Sequence, residues 1–303
     1  MAGRIRTALR DVKPGEITGA LLHEHMLLTD SEKEFRAAER AVTRKLAGDF
    51  RKLKTAGCNC FVDASMAYGA SCQPGLAAEL TRRTGVHVML TTGAYVEASL
   101  PAWIRKARVS KIAAWMHRDL TEGVKGTPHR AGLVKVSSNA YGVERNERKV
   151  FLAACEVHRR TGVPITVHSP KGAGPQLDLF RENGVAPEQV SFAHVEVGPW
   201  EDTLKVAKAG AFFVFTNWGG RQWVPEGQIV AQIADLVRRG YTKQVTISVD
   251  MYLSWVDGRV KQRWSGGYVQ IFDRVLPLLM EAGLKARQID RIIQENPRRY
   301  LAF

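Results

Sequence analysis

Two periodicities alternate along the chain. Short apolar runs rich in branched and aromatic residues recur at 19–25, 60–64, 86–92, 133–137, 165–169, 190–194, 211–216 and 245–250, the length and composition of buried strands. Between them lie longer segments, such as 32–55, 144–161 and 227–239, whose apolar residues return every three or four positions as on one face of a helix. Gly57, Gly162 and Gly240 stand where these helices should stop. The order is strand then helix, eight times over. Parallel strands joined by right-handed helical crossovers form an open sheet or close on themselves, and eight units close, so the predicted fold is α/β, a (β/α)8 TIM barrel. Residues 3–16, with a Pro14-Gly15 turn, predict a short N-terminal β extension packed against it. The expected organisation is one domain over 1–303, with 1–18 as the extension and 19–303 as the barrel.

Composition narrows the class without changing the fold. With 303 residues, 45% hydrophobic and 24% charged, the chain can bury a core, which excludes disorder and collagen. Lys and Arg number 44 against 30 Asp and Glu, giving a net charge of +14. The cations are spread along the chain, and the densest stretch, 36–54, is broken by Glu39, Asp49 and apolar residues as a solvated helix is, so nucleic acid is not the expected partner. The charged start and the lack of an apolar run near ~20 residues argue against secretion and membrane insertion, and a cytoplasmic location is expected. Cys58, Cys60, Cys72 and Cys155 lack the spacing of a zinc module and read as reduced core thiols.

Function in such a barrel gathers at the C-terminal ends of the strands. There the first strand offers His23-Glu24-His25, the fifth His168, the sixth His194 and the eighth Asp250, while the fourth carries Lys135 between Val134 and Val136. Alternation along a strand puts His23 and His25 on one face and Glu24 on the other. In the eighth strand polar Thr246, Ser248 and Asp250 alternate with apolar Ile247 and Val249. Singly, each histidine reads as a hydrogen-bonded core residue. A lysine within a barrel strand is different: it has no easy route to water and needs an anion, a modification or a shifted pKa. Four imidazoles, a carboxylate and that lysine on five strand ends point to a metal site. Nitrogen and oxygen ligands without thiolate fit zinc, and also manganese, cobalt or iron; six ligands are too many for one tetrahedral ion and imply two.

The segments GALLHEHMLL at 19–28, GLVKVS at 132–137, GVPITVHS at 162–169, FAH at 192–194, ISVD at 247–250 and ENPRRYL at 295–301 resemble the phosphotriesterase family of the binuclear-metal amidohydrolase superfamily, and within it the lactonase branch. The resemblance implies a Lys135 carboxylated by CO2 to N6-carboxylysine and bridging two divalent cations. His23, His25 and Asp250 would hold the more buried ion, and His168 and His194 the more exposed one. It further implies hydrolysis by a hydroxide shared between the ions, with Asp250 as catalytic proton acceptor, and a homodimer acting on a small-molecule substrate.

Tyr95, after the third strand, stands where a tyrosine of the lactonase branch faces the lactone, and Arg263-Trp264-Ser265 resembles that branch too. Asn217, Trp218 and Trp264 join Tyr95 as expected substrate contacts, in a face that also carries Trp200, Trp223 and Trp255. Two departures weaken a simple lactonase reading. The family's aspartate three residues after the sixth-strand histidine is missing, the sequence being Val195-Glu196-Val197, and Asp-Arg-Tyr-Gly after the seventh strand is replaced by Thr216-Asn217-Trp218-Gly219. The expected activity is therefore cleavage of a carboxylic ester or lactone, with promiscuous phosphotriester hydrolysis; an amide such as an N-acyl amino acid is the alternative. A nuclease and a non-catalytic barrel stand further off.

Overall fold

The structure is a computed structural model that describes residues 3–219 and 223–303. A small antiparallel pair, β1 (Ile5–Arg6) and β2 (Asp11–Val12), precedes eight strands: β3 (Ala20–Glu24), β4 (Cys60–Asp63), β5 (His87–Gly93), β6 (Ala131–Ser137), β7 (Ile165–His168), β8 (Val190–Ala193), β9 (Phe212–Phe215) and β10 (Val245–Ile247). All eight pair in parallel in chain order, with helices between them, so the (β/α)8 barrel expected from the sequence is the fold. A final antiparallel pair, β11 (Leu253–Val256) and β12 (Arg259–Gln262), follows β10.

The apolar residues divide into two layers, as a barrel requires. Ala20, Leu22, Val62, Met89, Leu133 and Val214 fill the interior together with Ile5 and Val12, so the N-terminal pair plugs the end away from the strand tips. Gly132 allows this close approach, because a Cβ there would lie 2.2 Å from the Arg6 carbonyl oxygen. The larger layer lies between strands and helices. The helix Glu32–Thr55 shows why: Ser31 caps it by accepting from the Glu34 N–H, and Phe35, Ala38, Val42, Leu46, Phe50 and Leu53 form one buried stripe. Gly57, Gly162 and Gly240 take positive φ, as predicted for helix stops.

The β3 edge and β10 do not share a ladder. They are joined instead by single bonds at the strand tips: His23 N–H to Ser248 Oγ (2.9 Å), Asp250 N–H to the His23 carbonyl (3.2 Å) and His25 N–H to the Met251 carbonyl (2.9 Å). The eighth strand thus ends at Ile247, three residues before the sequence expectation, because the backbone beyond it bonds to β3 side chains and carbonyls. The Glu24 carboxylate takes the N–H groups of Val249 (2.6 Å) and Met251 (2.9 Å), bracketing Asp250. All four cysteines are buried and free, as expected. Among the described residues no helix is long and apolar enough to cross a membrane.

One outer-layer contact carries a stability prediction. Thr92 on β5 donates to Asp119, in the helix Val109–Thr121, at 2.6 Å, and burial raises the Asp119 pKa to about 6 despite that bond. A carboxyl raised on folding subtracts stability above its folded pKa and nothing below its unfolded value near ~3.9. Asp119→Asn keeps an acceptor for Thr92 and is expected to stabilise by about 1–2 kcal/mol at pH 8, the gain vanishing towards pH ~4. Paired thermal melts across that range check it; an equal gain at both ends contradicts the electrostatic cause.

Candidate functional site

At the strand tips a cavity of about 380 Å³ opens, with His23, His25, Lys135, His168, Asp250 and Tyr95 in its wall. His23, His168 and His194 each offer one ring nitrogen, and the three atoms lie within 4.8 Å of one another; His23, His25 and Asp250 form a second such group. The six residues singled out from the sequence therefore meet in one place, with His23 common to both groups.

Simple alternation would not have achieved this. Ala20 and Leu22 point inward and Leu21 outward, so an unbroken β3 would turn His23 outward; the register shifts between Leu21 and Glu24, and this bulge brings His23 to the inside. On β8, Ala193 is interior and His194 should face the helices, but His194 takes φ +66° and turns in. Asp250 takes φ +54°. Non-glycine residues seldom adopt such values; of the four that do among the described residues, His194 and Asp250 are at the site, and Lys125 and Asp257 lie elsewhere. Gly93 provides for Lys135: it has φ +119°, and a Cβ there would lie 1.9 Å from the Lys135 carbonyl oxygen.

Burial sets the electrostatics. It drives the pKa values of His23, His25 and His168 well below the ordinary imidazole value and that of His194 to about 3, so all four are neutral and carry a lone pair at neutral pH. Lys135, fully buried, donates among the described residues only to the Ala64 carbonyl (3.0 Å), and burial lowers its pKa to about 8. Asp250 is raised by burial to about 6, with Arg263 and Lys135 opposing. Tyr95, its hydroxyl 3.4 Å from His168 Nε2, is pushed up to about 12 by burial and remains a phenol.

Two hydroxyls decide which nitrogens are free. Thr216 Oγ1 donates to Glu196 (2.9 Å), so it accepts the Nδ1 proton of His194 (2.6 Å) and leaves Nε2, buried and without a partner among the described residues, as the lone-pair nitrogen. Ser65 Oγ donates to Asp63 (2.7 Å) and accepts from His25 Nδ1 (3.1 Å), leaving His25 Nε2 towards Asp250 Oδ1 at 3.5 Å. Carboxylate, hydroxyl and imidazole in series are the arrangement that orients metal-binding histidines. Neutral histidines with orphaned nitrogens beside a carboxylate fit a pair of divalent ions.

Ser65, Asp63 and Thr216 were not singled out from the sequence. Their signal was a polar residue at or just past the end of β4 or β9. Glu196, one residue before the place of the missing family aspartate, reaches Thr216 through the turned backbone at His194 and is not in the described cavity wall. Glu24 likewise faces away, on the opposite side of the strand from His23 and His25 as expected, a placement that the bulge in β3 produces.

The four expected substrate contacts do not all reach the cavity wall. Tyr95 lines the cavity, but Trp218 is buried in the core with its indole N–H on the Phe215 carbonyl, because the chain turns inward straight after β9. Asn217 and Trp264 are also absent from the described wall: Asn217 Nδ2 is buried, and Trp264 is held under the Arg263 guanidinium at 4.3 Å. Trp223, half exposed, stands 5.6 Å from the His194 ring and is the loop tryptophan nearest the histidines.

The profile of the phosphotriesterase family matches residues 3–301. The chain belongs to the phosphotriesterase family. An aryldialkylphosphatase of Saccharolobus solfataricus is 25% identical over 316 residues, covering 96% of this chain and 97% of that protein. The phosphotriesterase homology protein of Escherichia coli is 28% identical, covering 73% and 76%. An N-acetyltaurine hydrolase of Salmo salar is 21% identical over 100% and 99%. A solved structure from the engineering of organophosphate hydrolysis on a weak promiscuous lactonase template superposes with a TM-score of 0.89 at 22% identity, covering 98% and 99% of the two chains. Family membership and these relatives make the chain a hydrolase.

Proposed function

We propose that the chain is a binuclear metal-dependent hydrolase of carboxylic esters or lactones, with weak activity on phosphotriesters. The observation that carries this is the pair of ligand groups sharing His23 around a buried Lys135. His23, His25 and Asp250 would hold one ion and His168 and His194 the other, and Lys135, once carboxylated at Nζ by CO2 with loss of one proton, would offer both a carboxylate; zinc suits this donor set best. Two such ions supply Lewis acidity and bring water to the ionised form near neutral pH. Asp250 takes the proton of the attacking water and delivers it to the leaving group. Tyr95, a phenol at neutral pH, donates to the substrate's acyl oxygen, and the plugged barrel end confines solvent to the mouth.

Elemental analysis followed by a hydrolysis screen over lactones, aryl esters, N-acyl amino acids and phosphotriesters tests the reading. About two ions per chain are expected, with ester or lactone turnover that chelation abolishes and added metal restores. Folded protein that takes up no metal contradicts it. Cleavage of an amide by the same centre is the second reading, favoured by the full-length match to N-acetyltaurine hydrolases and by Asn217, which stands where the lactonase branch has arginine.

The hydroxyl relay adds a milder prediction. Thr216→Val removes the oxygen between His194 and Glu196 with little change of shape. Affinity for the His168/His194 ion should fall about 10–100-fold, and Thr216→Ser should retain it. Titration of metal-free protein with zinc reads this directly; equal affinity in all three proteins would leave the relay without a role.

A further inference from the structure

Arg263 follows β12 and lines the same cavity as the histidines. Its guanidinium is stacked 4.3 Å from the Trp264 ring and 4.9 Å from the Tyr252 ring, which fixes its plane. Its one side-chain hydrogen bond among the described residues is from Nη1 to Asp250 Oδ2, at 3.4 Å. That is long for such a pair: Arg274 meets Glu226 at 2.5 and 2.7 Å elsewhere in this chain. An arginine serving only to hold Asp250 would close that gap. Instead Nε and Nη2 have no protein partner among the described residues, and the side chain is one-quarter exposed to the cavity.

Neither carboxyl of the described wall occupies that edge. Asp250 engages only Nη1, and Asp30, the other carboxyl of the wall, is exposed and forms no ion pair among the described residues. Lys135 lies buried at the floor, so among the described residues of the wall Arg263 is the cation that a ligand entering the mouth meets. A planar guanidinium with one free edge, held between aromatic rings, matches a carboxylate bidentately. The net charge of +14 draws anions towards it.

We infer that Arg263 is the anchor of a carboxylate subsite, and that the substrate is a small acyl compound whose leaving portion carries a carboxylate a short distance from the scissile bond, as in an acylated α-hydroxy acid or an N-acyl α-amino acid. This rests on the hydrolase reading above. Nearness to Asp250 limits the linker, since a carboxylate on the free edge of Arg263 lies close to the group that handles the proton. The cavity volume of about 380 Å³ is at the small end of the range for ligand sites and suits such a compound.

The test compares acetoxyacetate with acetoxyacetamide, which share the scissile ester and differ only in the remote charge, using metal-replete protein. The expected kcat/KM ratio favours the anion by about 30-fold, on the scale of one charge-assisted hydrogen-bonded contact. Arg263→Gln should bring the ratio to within about threefold, mostly through a higher KM for the anion, and Arg263→Lys should leave it between the two. Metal content and thermal melts of each variant verify that it is folded and loaded. Equal turnover of the two esters by the unaltered protein, or a preference that survives Arg263→Gln, overturns the subsite while the hydrolase reading stands. Failure of loaded protein to cleave either ester or any aryl ester brings down that reading and the subsite together.

Discussion

Lys135→Ala should release both ions and lower ester hydrolysis by about 10³-fold or more, because the bridge and the shared nucleophilic water depend on the same side chain. The fold should survive the change. The Lys135 amine is buried with one carbonyl partner and a pKa lowered by burial, so removing it relieves a desolvation cost while leaving a cavity. Lys135→Met fills that space without charge and serves as the control for packing. Elemental analysis should give close to no bound metal in either variant, and intact-protein mass spectrometry in the cold should find the added CO2 only on the unaltered chain. Hydrolysis persisting with one ion and an unmodified lysine would falsify the two-metal reading.

Asp250→Asn should separate holding an ion from moving a proton. The backbone bond from residue 250 to the His23 carbonyl and the Glu24 clamp on either side do not involve the side chain, so position 250 keeps its place. Asparagine can still offer an oxygen to a cation but cannot accept the proton of water. A fall of about 10²–10⁴-fold in kcat is expected, with metal content reduced far less than in Lys135→Ala. The sharpest comparison is between substrates with good and poor leaving groups: delivery of the proton matters more for the poor one, which should lose more rate. Equal losses for both would assign Asp250 to metal binding alone.

The barrel was legible because its signal is repetitive. Eight apolar runs with amphipathic segments between them leave few alternatives, and the helix Glu32–Thr55 has the bounds that its pattern predicts. The clustering of His23, His25, Lys135, His168, His194 and Asp250 followed from where strands end. How they reach one another did not. Alternation alone would send His23 and His194 outward, and the bulge in β3 and the left-handed backbone at His194 are local departures that no periodicity encodes. The hydroxyl relays were hidden for a related reason: Thr216 and Glu196 are neighbours only once the chain has turned at His194. Where each tryptophan settles was not legible because an aromatic residue after a strand can cap the core as readily as line a mouth: Trp218 does the former, and Trp223 stands half exposed beside His194.

The junction between β3 and β10 gives the site a second importance. Where every other neighbouring pair of strands in the cylinder is zipped by a ladder, this one is tacked at its upper rim by His23, His25 and Asp250, residues that would also grip cations. Filling the centre would suture the wall along its weakest line, so heat resistance should climb with each equivalent of metal added, making the melting curve a gauge of occupancy in the resting protein.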